Sequence, residues 1–499
     1  MGPLLHLAEK QDELKIVNTV TAANTLTGSV QSNNTFRKAS LLRHSAAGIV
    51  LASALAAIGC GSTYRPVVTS INPVGPAGQP GKYAVVMSNP GAGLPGLITI
   101  IDAFGDATLV NANVGAAPTY LQVDPTGSTG FTINGDGSVN SFSISASLMT
   151  NQILTTTLLS GAVPVSLVSQ GTNVYIAQGG RNSVAQLTGT PPALKTEIST
   201  GTGTYYTVSI SGAVRVYTLV RGNGTTAGTA VPIETGANTP DAAIPVGINP
   251  VYGVMTADGR RAFIMNQGSN TISTINAQTN TLDATPVVNP STGAAVTSGG
   301  NPVLASSIPV GVAPVWADFA PTLNELLVAN KGNGTTAGSV SIISIPLCSV
   351  TAISDPNCST TNPIDANGFG STVATIPVGV NPVMIAVLQD GTQAYVANAG
   401  VPATSNSPGI AGSVSVINLL TNTVVATLTA PNTTDTDLLD NVLHGHPNWI
   451  AVTTGTPTGK VYVTSGDAND ITIINTNTNT VATHLNLQGT GIAVRVSAQ

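Results

Sequence analysis

The stretch Ile376 to Gly400 reads IPVGVNPVMIAVLQDGTQAYVANAG, and two closely related stretches occur earlier in the chain. They read IPVGINPVYGVMTADGRRAFIMNQG (244–268) and IPVGVAPVWADFAPTLNELLVANKG (308–332). In all three, 16 residues separate the proline of the IPVG-x-x-P motif from the asparagine that ends the next apolar run. Constant spacing at weakly similar sequence is typical of a repeated structural unit, so a repeat architecture is expected.

Each repeat carries the sequence signals of four short strands. Strand a follows the motif proline (VMIAVL, 383–388), and after a polar Asp-Gly turn strand b reads AYVAN (394–398). Strand c reads SVSVIN (413–418), and a Thr-Asn-Thr turn leads into strand d within TNTVVATL (421–428). Alternating apolar residues predict strands with buried faces. Four strands in a period of about 40–45 residues is the size of one β-propeller blade.

These residues resemble the repeat of the bacterial YVTN-family β-propellers. The signature of that repeat is Tyr-Val-x-Asn, a Val-rich strand ending in Asp or Asn, and then Thr-Asn-Thr-Val. The segments YVAN (395–398) and YVTS (462–465) match it most closely. The resemblance extends over residues 82–499 and implies an all-β propeller fold.

The number of candidates for strand a, the innermost strand of each blade, predicts eight blades, with seven as the alternative. Seven strand-a candidates begin near residues 117, 163, 204, 249, 313, 381 and 447. An eighth lies at the C-terminal end (GIAVRV, 491–496), whereas the propeller begins with a strand-b sequence (KYAVVMSN, 82–89). The C-terminal strand is therefore expected to complete the first blade, which would leave no free edge in the ring.

Residues 36–59 have the features of a signal peptide. A positive segment with Arg37, Lys38 and Arg43 precedes an uncharged, mostly apolar run of 14 residues (46–59). That run is shorter than the about 20 residues needed to span a bilayer, but it fits the apolar region of an export signal. The rest of the chain is therefore expected to be exported.

Cys60 follows this segment and is the predicted lipidation site. Small residues before the cysteine resemble a bacterial lipobox, although Ala57 stands where Leu is usual. An ordinary secretory signal with an incidental cysteine is the alternative. Residues 1–35 are interpreted as an N-terminal extension from an over-called start codon, and residues 60–81 as a Pro/Gly-rich tether before the propeller of residues 82–499.

The composition suits an extracytoplasmic protein. Only 8% of the residues are charged, against roughly 25% in an ordinary soluble domain. No basic patch stands out, which argues against a nucleic-acid partner. We expect a monomer without a cofactor, attached to the outer membrane or cell surface through its lipid alone, and facing the periplasm or the exterior.

Cys348 and Cys358 lie ten residues apart in one insertion and are predicted to form a disulfide. The expected compartment is oxidising, and such a bridge would close a small loop. Free thiols or metal ligands are the alternatives, although no histidine lies near them in the sequence.

Two groups of residues are candidates for binding. His444, His446 and Asp440 lie in one connection and could hold a transition metal, although a polar interblade loop is the alternative interpretation. Tyr252, Trp316 and Trp449 each stand two residues after the blade proline and could stack on a ligand in the central channel. Packing between blades is the more common role for such aromatic residues. The turn residues Arg260 and Arg261 are expected to be solvated.

The sequence contains no catalytic motif, and its carboxylates are spread through turns. We therefore favour a non-enzymatic binding or scaffold protein whose partner is an envelope protein or a polysaccharide. YVTN propellers are similar in fold to propeller lactonases, so a hydrolase of sugar lactones is the alternative function. Only Glu234 and Glu325 occur after residue 200, and neither follows a strand-a motif.

Overall fold

The computed structural model describes residues 82–289, 291–292, 294–346, 368–431, 441–453 and 459–497. These residues form eight antiparallel sheets of four or five strands, whose innermost strands contact one another in an unbroken cycle, and one small two-stranded sheet in an insertion. The protein is therefore an all-β propeller with eight blades, as the spacing of the repeats predicts. No helix in the described segments is both long and apolar enough to cross a membrane.

The first four blades have their innermost strand at Thr490–Val496, Pro118–Val123, Pro164–Gln170 and Thr204–Val208. Blade 1 contains β1 (Tyr83–Asn89), β2 (Pro95–Asp102), β3 (Ala107–Ala116) and β36 (Thr490–Val496). Blade 2 contains β4 (Pro118–Val123), β5 (Thr129–Asn134), β6 (Ser138–Ser143) and β7 (Leu154–Thr157). Blade 3 contains β8 (Pro164–Gln170), β9 (Asn173–Gln178), β10 (Ser183–Thr188) and β11 (Ala193–Ser199). Blade 4 contains β12 (Thr204–Val208), β13 (Arg215–Val220), β14 (Ala227–Glu234), β15 (Thr239–Pro240) and β16 (Ile244–Ile248).

The other four blades follow in chain order. Blade 5 contains β17 (Pro250–Met255), β18 (Arg261–Asn266), β19 (Thr271–Asn276), β20 (Thr281–Leu282) and β23 (Ile308–Pro309). Its insertion forms β21 (Thr297–Ser298), β22 (Asn301–Pro302) and a 3-10 helix (Ala305–Ser307); a second 3-10 helix (Thr150–Gln152) lies in blade 2. Blade 6 contains β24 (Pro314–Ala320), β25 (Glu325–Asn330), β26 (Ala337–Ser344) and β27 (Thr372–Val380). Blade 7 contains β28 (Pro382–Val387), β29 (Gln393–Asn398), β30 (Ser413–Asn418) and β31 (Thr423–Thr429). Blade 8 contains β32 (Pro447–Val452), β33 (Lys460–Ser465), β34 (Asp470–Asn475) and β35 (Thr480–Asn486).

The C-terminal strand β36 closes the ring as the inner strand of blade 1. It pairs antiparallel with β1, and the Tyr83 amide donates a 2.9 Å hydrogen bond to Ser497 Oγ. Lys460 Nζ of blade 8 lies 2.7 Å from Asp106 Oδ2 of blade 1, which adds an ion pair at the same junction. The predicted closure by the last strand is thus confirmed.

The glycine of the IPVG motif is required by close packing. A Cβ atom on Gly379 would lie 2.6 Å from Ser413 Oγ and 2.7 Å from Asn398 Cγ, too close for any side chain. Gly247 and Gly311 likewise meet an asparagine and a serine of the next blade. The glycine of the motif therefore recurs because the outer strand of one blade passes tightly against the asparagine that ends strand b of the next blade.

The residue before the motif proline has a left-handed backbone. Its φ is 51° at Asn249, 55° at Ala313 and 57° at Asn381. Asparagine tolerates this conformation better than most residues, which explains why it recurs there.

One expectation about a charged residue was wrong. Arg261 is fully buried at the start of β18, and its Nε donates a 2.9 Å hydrogen bond to Asp283 Oδ2. The partner is supplied by the insertion of blade 5, which the sequence pattern of the turn does not reveal. Arg260 is partly exposed, beside Asp258.

Candidate functional site

Five aromatic side chains meet around the centre of the ring. Each occupies the third position of its inner strand, directly after a β-bulge: Tyr120, Tyr206, Tyr252, Trp316 and Trp449. A bulge inserts one extra residue and re-aims the side chain that follows it. The same local irregularity in successive blades therefore directs these rings toward one another.

The five rings form a closed cycle of contacts, here called the aromatic plug. Tyr252 and Trp316 stack with centroids 3.9 Å apart, and the Trp316 and Trp449 rings meet edge to face at 5.5 Å. The remaining neighbours are 5.0 to 6.5 Å apart, within the usual range for aromatic pairs. The plug therefore joins inner strands of five of the eight blades.

Two charged side chains of the inner strands lie near the plug. The Arg495 guanidinium carbon is 4.9 Å from the Trp449 ring centroid, a cation–π distance, and its Nε donates to the Leu121 carbonyl at 3.3 Å. Both carboxylate oxygens of Asp318 accept 2.9 Å hydrogen bonds, from the amides of Phe319 and Val387. Burial has the largest effect on the pKa of Asp318 and raises it to about 6. These hydrogen bonds and the charge of Arg495 lower this pKa, but by less.

Two cavities lie side by side on blades 1 to 4 and form what we call the polar groove. The first, of about 450 Å³, is lined by Asn113, Val114, Gly115, Asp136, Ser138, Asn140, Thr150, Ile153, Thr155 and Thr157. The second, of about 630 Å³, is lined by Thr119, Asn134, Gly135, Asp136, Gly137, Tyr205 and the segment 157–165. Asp136 and Thr157 border both cavities, so the two cavities adjoin each other at these residues.

Asp136 supplies the negative charge in the middle of the polar groove. Its carboxylate accepts hydrogen bonds from the Ser138 hydroxyl at 2.6 Å and from the Ala116 amide at 3.0 Å. Partial burial raises the pKa of Asp136, but these hydrogen bonds outweigh it and leave the pKa below its ordinary value. The group is therefore ionised at neutral pH. At one end of the groove, the Arg221 guanidinium lies 3.1 Å from the Tyr205 ring centroid.

The predicted binding residues fall in two places. Tyr252, Trp316 and Trp449 belong to the aromatic plug together with Tyr120 and Tyr206, and their role in ligand binding stays a prediction. Sequence reasoning missed Tyr120, although it also stands two residues after its blade proline. It missed Tyr206 because β12 begins with a threonine in place of the proline.

Among the predicted metal ligands, His444 lies beside Asp470 and His484, which come from two strands of blade 8. His446 is bonded instead to Asp467, with Nδ1 2.5 Å from Oδ2. Asp440 lies outside the described residues, as do Cys60, Cys348 and Cys358. The predicted lipidation and disulfide therefore stay predictions.

Comparisons with known proteins support the fold. No protein-family model and no curated protein matches the chain. Among solved structures, two of AztD from Citrobacter koseri are 12% and 13% identical to it, with TM-scores of 0.50 and 0.51; each alignment covers 83% of this chain and 97% of AztD. Dihydro-heme d1 dehydrogenase NirN, in complex with DHE, is 10% identical with a TM-score of 0.52, covering 83% of this chain and 75% of NirN. At such low identities, the similarity concerns the propeller fold alone.

Proposed function

We propose that the protein is a non-enzymatic polysaccharide-binding propeller of the cell envelope. The observation that carries the proposal is the polar groove, where Asp136 and Thr157 join two cavities into one elongated surface. Each cavity has the size of a small-molecule site, about 300–1,000 Å³. A chain of sugar units would therefore lie across both.

The groups that line the groove suit a sugar chain. Asn113, Thr119 and Thr155 are exposed there and offer amide and hydroxyl groups that both donate and accept hydrogen bonds. Tyr205 lines one end of the groove; the Arg221 guanidinium covers one face of its ring, and the C–H face of a sugar would stack on the opposite face. The single carboxylate at Asp136 would accept hydrogen bonds from sugar hydroxyls, since its lowered pKa keeps it ionised.

The proposed location follows from the N-terminal sequence. Residues 36–59 have the pattern of an export signal, and Cys60 stands where a lipid would be attached. An exported protein anchored in this way would meet envelope polysaccharide. The aromatic plug would serve mainly in packing at the centre of the ring. Trp449 supports this role because it packs against four separate clusters of buried apolar side chains.

One observation favours the alternative function, a hydrolase of sugar lactones. Burial raises the pKa of Asp318 to about 6, a value that suits a general base near neutral pH. Against this role, both carboxylate oxygens of Asp318 are already engaged by backbone amides. A lactone hydrolysis screen of the protein and of Asp318→Asn separates the two functions, since binding alone predicts no turnover.

The test of the proposed function is a glycan array followed by titration calorimetry on the full chain. The Tyr205→Ala variant should lower affinity for the bound glycan at least about tenfold, which corresponds to about 1.4 kcal/mol. Asp136→Asn should weaken binding as well. Asp390→Asn is the matched control, because Asp390 forms the same kind of turn bonds, to the Thr392 amide and hydroxyl, far from the groove in blade 7. Glycan binding that is equally strong in Tyr205→Ala would contradict the proposal.

A further inference from the structure

We propose that His444, Asp470 and His484 form a binding site for one divalent transition-metal ion on blade 8. One donor atom from each of the three side chains lies within 4.8 Å of the other two. The site is distinct from the polar groove, and the inference is independent of polysaccharide binding.

The three side chains are already in mutual contact. His444 Nδ1 and Asp470 Oδ2 are hydrogen-bonded, and the His444 and His484 rings stack with centroids 3.9 Å apart and planes inclined by 12°. Metal–nitrogen distances of about 2.0–2.1 Å require an ion to replace the hydrogen bond between His444 and Asp470 and to separate the two stacked imidazoles. Rotation of one imidazole out of the stack would let one nitrogen of His444 and one nitrogen of His484 reach a common ion.

Two of the ligands stand on rigid elements. Asp470 is the first residue of β34, and His484 lies in the adjacent strand β35, opposite Thr472. Asp470 is therefore a diagonal neighbour of His484 on paired strands, at a separation that long side chains can bridge. Ligands fixed by a sheet are better positioned than ligands on loops.

The third ligand, His444, is held in place by the residues around it. Ser465 Oγ donates a 2.6 Å hydrogen bond to the His444 carbonyl. Asp467 accepts a 2.7 Å hydrogen bond from the His446 amide. Gly445, with φ of 64°, fits between them, because a Cβ atom there would overlap Asp467. These contacts fix the turn that carries His444 before any ion binds, which reduces the entropy that binding must overcome.

The donor set and its burial indicate which ions would bind. Two imidazoles and one carboxylate suit Zn²⁺, Cu²⁺ or Ni²⁺, whereas Mg²⁺ and Ca²⁺ prefer oxygen ligands alone. The His444 and Asp470 side chains are only 11% and 14% exposed, so the site is sheltered but still reachable by an ion. An exposed group of carboxylates would offer neither feature.

The test uses the full chain without an affinity tag, titrated with Zn²⁺ by calorimetry and with Cu²⁺ by electron paramagnetic resonance. We expect one ion per chain and a Cu²⁺ spectrum with coupling to two imidazole nitrogens. His484→Gln should weaken Zn²⁺ binding by more than about 100-fold, since loss of even an outer partner of a ligand costs about 10–100-fold. Asp470→Asn should also weaken it, and circular dichroism would verify that each variant is folded.

His446→Gln is the matched control, because His446 neighbours His444 in sequence but is bonded to Asp467. This variant should keep the affinity and the nitrogen coupling of the unaltered protein. Absence of stoichiometric Zn²⁺ binding by the folded protein would overturn the proposal. Loss of binding in His446→Gln and Asp440→Asn, with retention in His484→Gln, would overturn it in favour of the ligand set that the sequence predicts.

Discussion

The Tyr175 hydroxyl of blade 3 donates a 2.8 Å hydrogen bond to Oδ1 of Asn238, in the turn between β14 and β15 of blade 4. The same contact joins Tyr217 to Asn280 at 3.2 Å, one blade further on. Each asparagine has a left-handed backbone, with φ of 56° and 59°. The tyrosine of strand b and the asparagine of the c–d turn therefore recur together because each pair connects adjacent blades.

Removing this hydrogen bond should weaken the junction between blades 3 and 4. Tyr175→Phe keeps the buried ring and removes the hydroxyl, and Asn238→Gly removes the amide while tolerating positive φ. Each variant should lower the free energy of unfolding by about 1 kcal/mol. In a double-mutant cycle measured by urea unfolding, the two losses should be less than additive, because they share one bond. Fully additive losses would show that the two groups do not interact.

Gly379→Ala should destabilise the propeller by about 1–3 kcal/mol, because the new methyl group would force Ser413 and Asn398 apart. Gly236→Ala is the matched control, since no atom lies within 4 Å of a Cβ at that exposed position. The control should leave the unfolding midpoint unchanged or slightly raised. Equal midpoints for the two variants would contradict the close-packing explanation of the IPVG glycine.

Deletion of residues 490–499 should open the ring, because it removes β36, which pairs with β1. We expect a large fall in Tm, a less cooperative transition and exposure of the apolar edge of blade 1, detected by a hydrophobic dye. Ser497→Ala, which removes only the bond from the Tyr83 amide, should cost about 1 kcal/mol and keep the transition cooperative. A truncated protein that melts like the full chain would contradict closure by the last strand.

Stability should decline in alkaline solution as buried tyrosines ionise. Burial raises the pKa of Tyr217 to about 12 from its ordinary value of 10, and it raises the pKa of Tyr175 and Tyr395 as well. The unfolded chain loses these protons first, so the free energy of unfolding is unaffected below about pH 10 and falls as the pH rises toward 12. Urea unfolding across this range measures the slope.

Tyr217→Phe should reduce that alkaline slope, although it also lowers stability at neutral pH by removing the bond to Asn280. The two effects are separable because only the first depends on pH. An unchanged slope in this variant would mean that Tyr217 does not carry the predicted ionisation.

The sequence by itself determined the strands of the repeat, the blade period and the closing strand, and it favoured eight blades over seven. These features are local or periodic: the valines and isoleucine of SVSVIN mark β30 as a buried strand, and the spacing from Pro382 to Asn398 sets the length of two strands and their turn. A contact that recurs once per blade places similar residues at a fixed interval in the sequence. The strand-b sequence at residues 82–89 has no strand a before it, so its partner had to come from the C-terminal end.

Only the tertiary structure decided the sites, because their residues are brought together by ring closure and by insertions rather than by spacing. Tyr120 meets Trp449 only because blade 2 and blade 8 both face the centre of a closed ring. Arg261 is buried because the insertion of blade 5 supplies Asp283. His444 lies against His484 rather than in a metal set defined by its sequence neighbours, because β34 and β35 pair beside the turn that carries it. Chemistry at these positions depends on three-dimensional neighbours that no periodic pattern records.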